Sequence, residues 1–310
     1  MKKIFVSGLI NLETTCKIKS FPIPYSPIDY PFFGINTTVS GVGMNLTKAL
    51  KTLGDDVFPL SIIGNDENAD LVLRAFSDLG VNTEYIMKYA AQTAQSVILY
   101  DNDGKRRIYC DLKNLQDLSV NEIDVSAALE RCDLVIACNI NFSRSLLKAA
   151  KEKKIPIATD VHVFSDIHDE YNNDFLNAAD ILFLSDENIK GDPKKFLLSL
   201  LQEYQSKIIV LGQGSKGSLM IVREENTVYD IDAVFTRKVI NTAGAGDSLF
   251  SSFLHYYLKG EAPIEALKRA TLFASYKIGE AGAASGFVDE AKIEELYKQT
   301  AFNIKTDSLI

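Results

Sequence analysis

In the segment Asn241-Thr242-Ala243-Gly244-Ala245-Gly246-Asp247, three small residues precede one acid, and an apolar helical pattern, Ser248-Leu249-Phe250-Ser251-Ser252-Phe253-Leu254, follows at once. Gly244, Ala245 and Gly246 allow a tight bend and a close approach of backbone to ligand. The residues that follow present unpaired N–H groups at a helix N-terminus, which attract an anion such as a phosphate in transfer. Asp247 falls in the first helical turn, beside that anion site. A base next to an anion hole is what phosphoryl transfer to a hydroxyl requires. The helix N-terminus is expected to lower the pKa of Asp247, and a loose transition state tolerates such a weak base. The plainer reading, that small residues and an acid merely start a helix, fits this segment alone equally well.

Two further glycine clusters could meet it. Ser40-Gly41-Val42-Gly43-Met44-Asn45 runs into Leu46, Ala49, Leu50 and Leu53, spaced as one helix face, and Gly54 ends that helix. Gly212-x-Gly214-x-x-Gly217 has the pattern of a dinucleotide fingerprint, which needs a helix after the glycines. The extended run Ser218-Leu219-Met220-Ile221-Val222 follows instead, so a nicotinamide-binding reading is rejected. No G-x-x-x-x-G-K-[ST] occurs, which excludes a P-loop kinase. Asn11 and Glu13 follow the β-rich run Lys3–Ile10. Ligands of open α/β sheets bind beyond strand carboxyl ends, so the two are placed to hydrogen-bond substrate hydroxyls; as polar loop residues they would need no such role.

These clusters carry a resemblance. Asn241–Asp247 resembles the C-terminal signature of the ribokinase-like (PfkB) carbohydrate kinase family, which commonly reads Asp-Thr-x-Gly-Ala-Gly-Asp. Ser40–Asn45 resembles the family's N-terminal motif and Leu211–Ser218 its nucleotide loop, in family order and across most of the chain. The resemblance implies a single kinase domain over residues 1–310, α/β in class, with a three-layer α/β/α arrangement of Rossmann-like, ribokinase type and a small β-sheet lid. It implies an ATP-dependent kinase acting on a primary hydroxyl of a sugar or sugar derivative, with ATP and Mg²⁺ as cofactors. Asp247 would take the hydroxyl proton while the amides of Gly244, Ala245 and Gly246 hold the phosphate. Asn11, Glu13, Gly41, Gly43 and Asn45 would bind the acceptor, and Gly212, Gly214, Lys216, Gly217 and Thr242 the nucleotide. A nucleoside kinase of the same fold and a non-catalytic sugar-binding regulator are the alternatives.

The chain departs from the family pattern at four places. Ser40 replaces a Gly, and Glu13 an Asp. Asn241 stands where an Asp commonly helps hold a potassium-type cation, so monovalent activation is expected to be weak. The magnesium-ordering Asn-x-x-Glu reads Ser185-Asp186-Glu187-Asn188, which leaves Asp186 and Glu187 open as metal ligands. The loop Ala281-Gly282-Ala283-Ala284-Ser285-Gly286 resembles one that flanks adenine and the monovalent cation, although as composition it is only a turn between helices.

The elements that must position these residues are legible in outline. From residue 133 onward strands and helices alternate (strands 133–138, 155–160, 181–184 and 207–211), as in a parallel sheet covered on both faces. Ser119-x-x-Glu122 is a capping box. Segment 14–40, rich in proline and aromatics, and segment 93–113, a hairpin turning at Asp101-Asn102-Asp103-Gly104, are expected to pair as the lid. Such a sheet has edges and a face needing cover, which suggests a homodimer through the lid. The run Lys105-Arg106-Arg107 is open to either the cleft or solvent, with solvent favoured for a charge run, and His162, His168 and His255 are read as structural or surface residues.

Net charge is −8, so no basic field exists for nucleic acid or an anionic membrane, and phosphate binding falls to backbone amides and a metal. The four cysteines form no C-x-x-C, which fits reduced thiols and a cytoplasmic location. No apolar run reaches the length of a membrane helix.

Overall fold

Ile4 and Val6 enter one hydrophobic core and Phe5 another, and all three are fully buried. The division recurs along the chain. Leu134 and Ile136 part from Val135 and Ala137, and Ile208 and Val210 from Ile209 and Leu211. A strand apolar on both faces belongs between two layers. A computed structural model describes residues 1–102, 105–280 and 282–309 of the chain, without the side chains of 122–124 and 127. The turn residues Asp103-Gly104, Ala281 of the small-residue loop and the Glu122 side chain of the capping box lie outside the described residues.

The strands are β1 (Lys3–Ser7), β2 (Asn11–Lys17), β3 (Ile35–Ser40), β4 (Asp56–Ile62), β5 (Ile86–Met87), β6 (Gln95–Tyr100), β7 (Arg106–Asp111), β8 (Leu134–Ala137), β9 (Ile157–Val163), β10 (Ile181–Ser185), β11 (Ile208–Gly212), β12 (Gly217–Val222), β13 (Thr227–Asp232) and β14 (Ile304–Ser308). Ten of them form one sheet in the order β14-β13-β12-β11-β10-β9-β8-β1-β4-β5. From β11 to β5 all neighbours are parallel, and β12, β13 and β14 extend the sheet antiparallel.

The helices are α1 (Val42–Thr52), α2 (Glu67–Asp78), α3 (Glu122–Leu129), α4 (Arg144–Glu152), α5 (Asn173–Ala178), α6 (Pro193–Glu203), α7 (Ala245–Leu258), α8 (Pro263–Lys277) and α9 (Glu290–Gln299). One face of the sheet is covered by α1, α7, α8 and α9 through Leu46, Leu50, Phe250, Phe253, Phe273 and Ile293. The other is covered by α3 to α6 through Val125, Leu146, Phe175, Leu197 and Leu200. This is the three-layer α/β/α arrangement expected from the sequence.

The remaining strands form a second sheet, β3-β2-β6-β7, drawn from both expected lid segments. Its first strand starts at Asn11, so Asn11 and Glu13 are strand residues and not loop residues after β1. The reason is local: Ile10 and Leu12 are buried with Met44, Val72 and Phe76 in a third small core, which holds β2 down. Leu12 pairs with Val39 on one side and Gln95 on the other. The aromatics of the connection between β2 and β3 point outward, with Tyr25 95% and Phe32 83% exposed.

Candidate active site

A cleft of about 810 Å³ opens where the parallel strands β9, β10 and β11 end at Asp160–Val163, Ser185 and Gly212. Glu13, Ile98, Arg106 and Ile108 of the lid form its other wall. The carboxyl edge of a parallel sheet is where such folds take ligands.

Helix α7 begins at this cleft because Gly244 turns the chain into the left-handed region, with φ 76°. A Cβ there would stand 2.6 Å from the Ala283 carbonyl oxygen, so both backbone angle and space demand glycine. The turn is pinned from below. Asn241 Oδ1 accepts from the Ala243 amide (2.9 Å), and the Ala245 amide donates to the Thr242 carbonyl (3.1 Å). The amides of Gly244 and Gly246 donate to no acceptor among the described residues, which leaves those two for an anion.

Asp247 follows in the first turn. Asn45 Nδ2, from α1, donates to its Oδ2 at 2.6 Å. The Ser40 hydroxyl lies 3.3 Å from Asn45 Oδ1 and 3.1 Å from Glu13 Oε2, so it ties Glu13 to Asn45. Glu13 Oε1 is buried without a partner among the described residues, and so is Asn11 Oδ1. Orphaned buried oxygens are rare, and one in a cleft wall suits a ligand donor.

Burial raises the pKa of Asp247, and Asp160 adds to the rise, against the pull of His162, the Asn45 hydrogen bond and Lys277. This corrects the lowering expected from the helix end: the carboxyl is buried in the fold, and desolvation outweighs the partial charge of the helix terminus. Glu13 is raised as well, first by burial and then by Asp247, against the hydrogen bond from Ser40.

The other expected residues are distributed as follows. Gly41 and Asn45 line the cleft, whereas Asn11 gives its amide to Ser96 Oγ (3.0 Å) behind the wall. Gly43 packs on the Gly8 backbone, where a Cβ would lie 2.7 Å from the carbonyl oxygen. Gly212, Gly214 and Gly217 line the cleft, and Lys216 is exposed outside it. A 3₁₀ turn at Gly214–Lys216 opens the antiparallel strand β12, so no helix follows the glycines. Gly217 has φ 116°, and a Cβ on it would meet the Ile231 carbonyl at 2.0 Å. Thr242, Asp186 and Glu187 also line the cleft.

Four residues of the site escaped sequence reasoning. Arg106, favoured as a solvent residue of the charge run, is partly exposed but lines the cleft. It donates to Thr242 Oγ1 (3.4 Å) and lies 3.6 Å from Glu187 Oε1, because β7 pairs onto the lid above the cleft. His162 is likewise not a bystander: an oxygen or nitrogen of each of Asp160, His162 and Asp247 lies within 4.8 Å of the others. His162 has φ 56°, and the register of β9 against β10 shifts there, which turns its ring into the cleft. Lys277 is fully buried, and its ammonium donates to the Ala243 carbonyl. Arg106 and Lys277 thus bring positive charge to a site that was expected to rely on amides and a metal. Lys277 alone had a legible signal, since it continues the buried stripe Ala266, Ala270 and Phe273 of α8. His255 stays structural, bridging Asp55 (2.7 Å) and Glu290, and His168 is exposed.

A family model, that of the pfkB family carbohydrate kinases, matches residues 1–290. The chain belongs to the PfkB family of carbohydrate kinases. This PfkB kinase is 23% identical to acarbose 7(IV)-phosphotransferase of Actinoplanes sp. over 292 residues, which span 94% of the chain and 96% of that relative. It is 23% identical over 314 residues to ribokinase of Dictyostelium discoideum, spanning 92% and 96%. Among solved structures, a microbiome-derived acarbose kinase superposes with a TM-score of 0.87 at 23% identity, covering 96% of this chain and 99% of that one. Ribokinase of Arabidopsis thaliana, complexed with ribose and ATP, gives 0.80 at 20% identity, covering 96% and 99%. The fold is the ribokinase fold, and the PfkB kinase is a phosphotransferase with an alcohol group as acceptor.

Proposed function

We propose that the enzyme transfers the terminal phosphate of ATP to a primary hydroxyl of a sugar or sugar derivative, with Asp247 as general base. The observation that carries this reading is the placement of Asp247. Its carboxylate is oriented by Asn45 (2.6 Å) beside the Gly244 and Gly246 amides, in a cleft bounded by Glu13 on one wall and the Gly212–Gly217 loop on another.

Asn45 engages Oδ2, so Oδ1 is the oxygen that takes the hydroxyl proton. A pKa raised by burial makes the ionised carboxylate a stronger base than an exposed one. The Gly244 and Gly246 amides, at a helix N-terminus, meet the charge on the phosphate in transfer. Glu13 Oε1 accepts from an acceptor hydroxyl. Arg106 lines the same cleft and adds a positive charge from the lid. Mg²⁺ would neutralise phosphate charge, and the cleft-lining carboxylates of Asp160 and Asp186 are the hard oxygen donors that fit it, Glu187 being turned to Arg106.

The four cysteines are free, which fits a cytoplasmic enzyme. Tyr25, Phe32 and Phe33 are exposed, and the lid residues in the cleft wall, Glu13, Ile98, Arg106 and Ile108, include no aromatic, so the aromatic lid gives the nucleoside alternative no support. A coupled ADP-release screen across sugars, sugar derivatives and nucleosides tests the reading. Turnover on a sugar is expected. Turnover on nucleosides alone would overturn the acceptor class, and no turnover on any acceptor would favour a binding-only regulator.

A further inference from the structure

We infer that Lys277 is a positioning residue for the transfer: its ammonium, locked beneath the Asn241–Gly246 turn, is a built-in cation that sets and strengthens the anion-binding amide of Gly244. The inference rests on the phosphotransfer reading of the same cleft.

Lysine is almost never fully buried unless paired. Lys277 is 0% exposed, and among the described residues its ammonium forms no salt bridge. Its hydrogen bond goes to a neutral acceptor, the Ala243 carbonyl. That carbonyl and the Gly244 N–H are the two ends of one peptide unit. The unit is planar and trans, so the N–H points away from the ammonium while the C=O points toward it. A positive charge on the oxygen polarises the whole unit, and a donor at its far end becomes a better donor. Gly244, like Gly246, has an amide left without an acceptor among the described residues at the α7 N-terminus, and it is the one that shares a peptide unit with the Ala243 carbonyl. Lys277 therefore acts on the anion site through the peptide it grips, without lining the cleft itself.

The surroundings agree. Asp247 from α7, Glu13 from the lid and Glu280 after α8 favour the charged form of Lys277, whereas Arg106 from β7 opposes it. Burial opposes it most, and the net result is a lysine pushed down to about 8. Asn241, at the start of the turn, contributes a neutral amide that accepts from Ala243 N, so the charge under the turn is supplied by α8. A lysine serving only as an anchor between α8 and the turn could be replaced by any side chain that preserves the packing; a cation could not.

The test compares wild type, Lys277→Met and Lys277→Ala with ATP and the best sugar at pH 7.5, with melting temperatures alongside. Methionine keeps the volume without the charge. Both variants are expected to lose kcat by roughly tenfold or more, toward the range for loss of one oxyanion donor, with the sugar KM within about twofold. Ammonium or methylammonium chloride should restore part of the kcat of Lys277→Ala, with tetramethylammonium chloride inert and Lys277→Met unresponsive. A Lys277→Met protein with wild-type kcat would overturn the inference, as would a folded Lys277→Ala that no small cation rescues. Should Lys277→Ala fail to fold, the kcat of Lys277→Met alone decides. Wild type without turnover on any acceptor would instead remove the phosphotransfer reading beneath it.

Discussion

Asn45 and Asp247, 202 positions apart, share a hydrogen bond of 2.6 Å that joins the first turn of α1 to the first turn of α7. The bond fixes one carboxylate oxygen and lowers the pKa of Asp247 against the rise from burial. Asn45→Ala removes both effects. Its kcat should fall about tenfold or more, at the low end of a general-base contribution. The acid limb of its kcat–pH profile should move to higher pH, since Asp247 then ionises later. A limb that stays in place would show that Asn45 does not act on the base.

Glu13→Ala should act on the acceptor. A buried oxygen that waits for a hydroxyl is worth about 1–3 kcal/mol when a ligand uses it. The sugar KM is expected to rise accordingly, with the ATP KM nearly unchanged. Equal losses for both substrates would place Glu13 in a general structural role, through its contact with Ser40 (3.1 Å).

The titration of Lys277 has opposite signs for activity and stability. Its folded pKa of about 8 lies below the ordinary 10.5. Between these values the unfolded chain holds a proton that the folded protein has lost, so stability relative to Lys277→Met should rise across that window. Turnover should fall over the same window as the ammonium is lost. Parallel changes in both would contradict this assignment. Because Asn241 brings no charge, potassium should change the wild-type rate little, and a severalfold activation over tetramethylammonium buffer would count against it.

The outer lid carries Ile35, Val97 and Tyr109, between 41% and 58% exposed. A homodimer through this face is expected, and light scattering at micromolar concentration, with and without sugar, measures it. A monomer under both conditions would rule the dimer out.

Legibility in the sequence followed locality. The Gly244–Asp247 turn, the Gly212–Gly217 loop and the alternating strands lie within single stretches, and their backbone demands are written in residue type. Arg106, Asp160 and His162 reach the cleft only through the pairing of β7 with β6 and the register shift between β9 and β10. The direction of the Asp247 shift was misread for the same reason. A helix end is a local feature, whereas the burial that outweighs it is a property of the folded chain. Helix α9 and strand β14 went unread because Glu290–Gln299 buries only Ile293 and Ile304–Ser308 is an exposed edge strand.

The most direct test of the account is Asp247→Asn, measured for kcat with the best sugar and for ATP affinity by calorimetry. The substitution is nearly isosteric and keeps an oxygen near the helix start, so folding should survive. Loss of the base should cost about 10²- to 10⁴-fold in kcat. ATP should bind as well or more tightly, because a negative charge beside the phosphate site has gone. A variant that retains more than about a tenth of wild-type kcat, above what loss of a general base allows, would show that Asp247 is not the base.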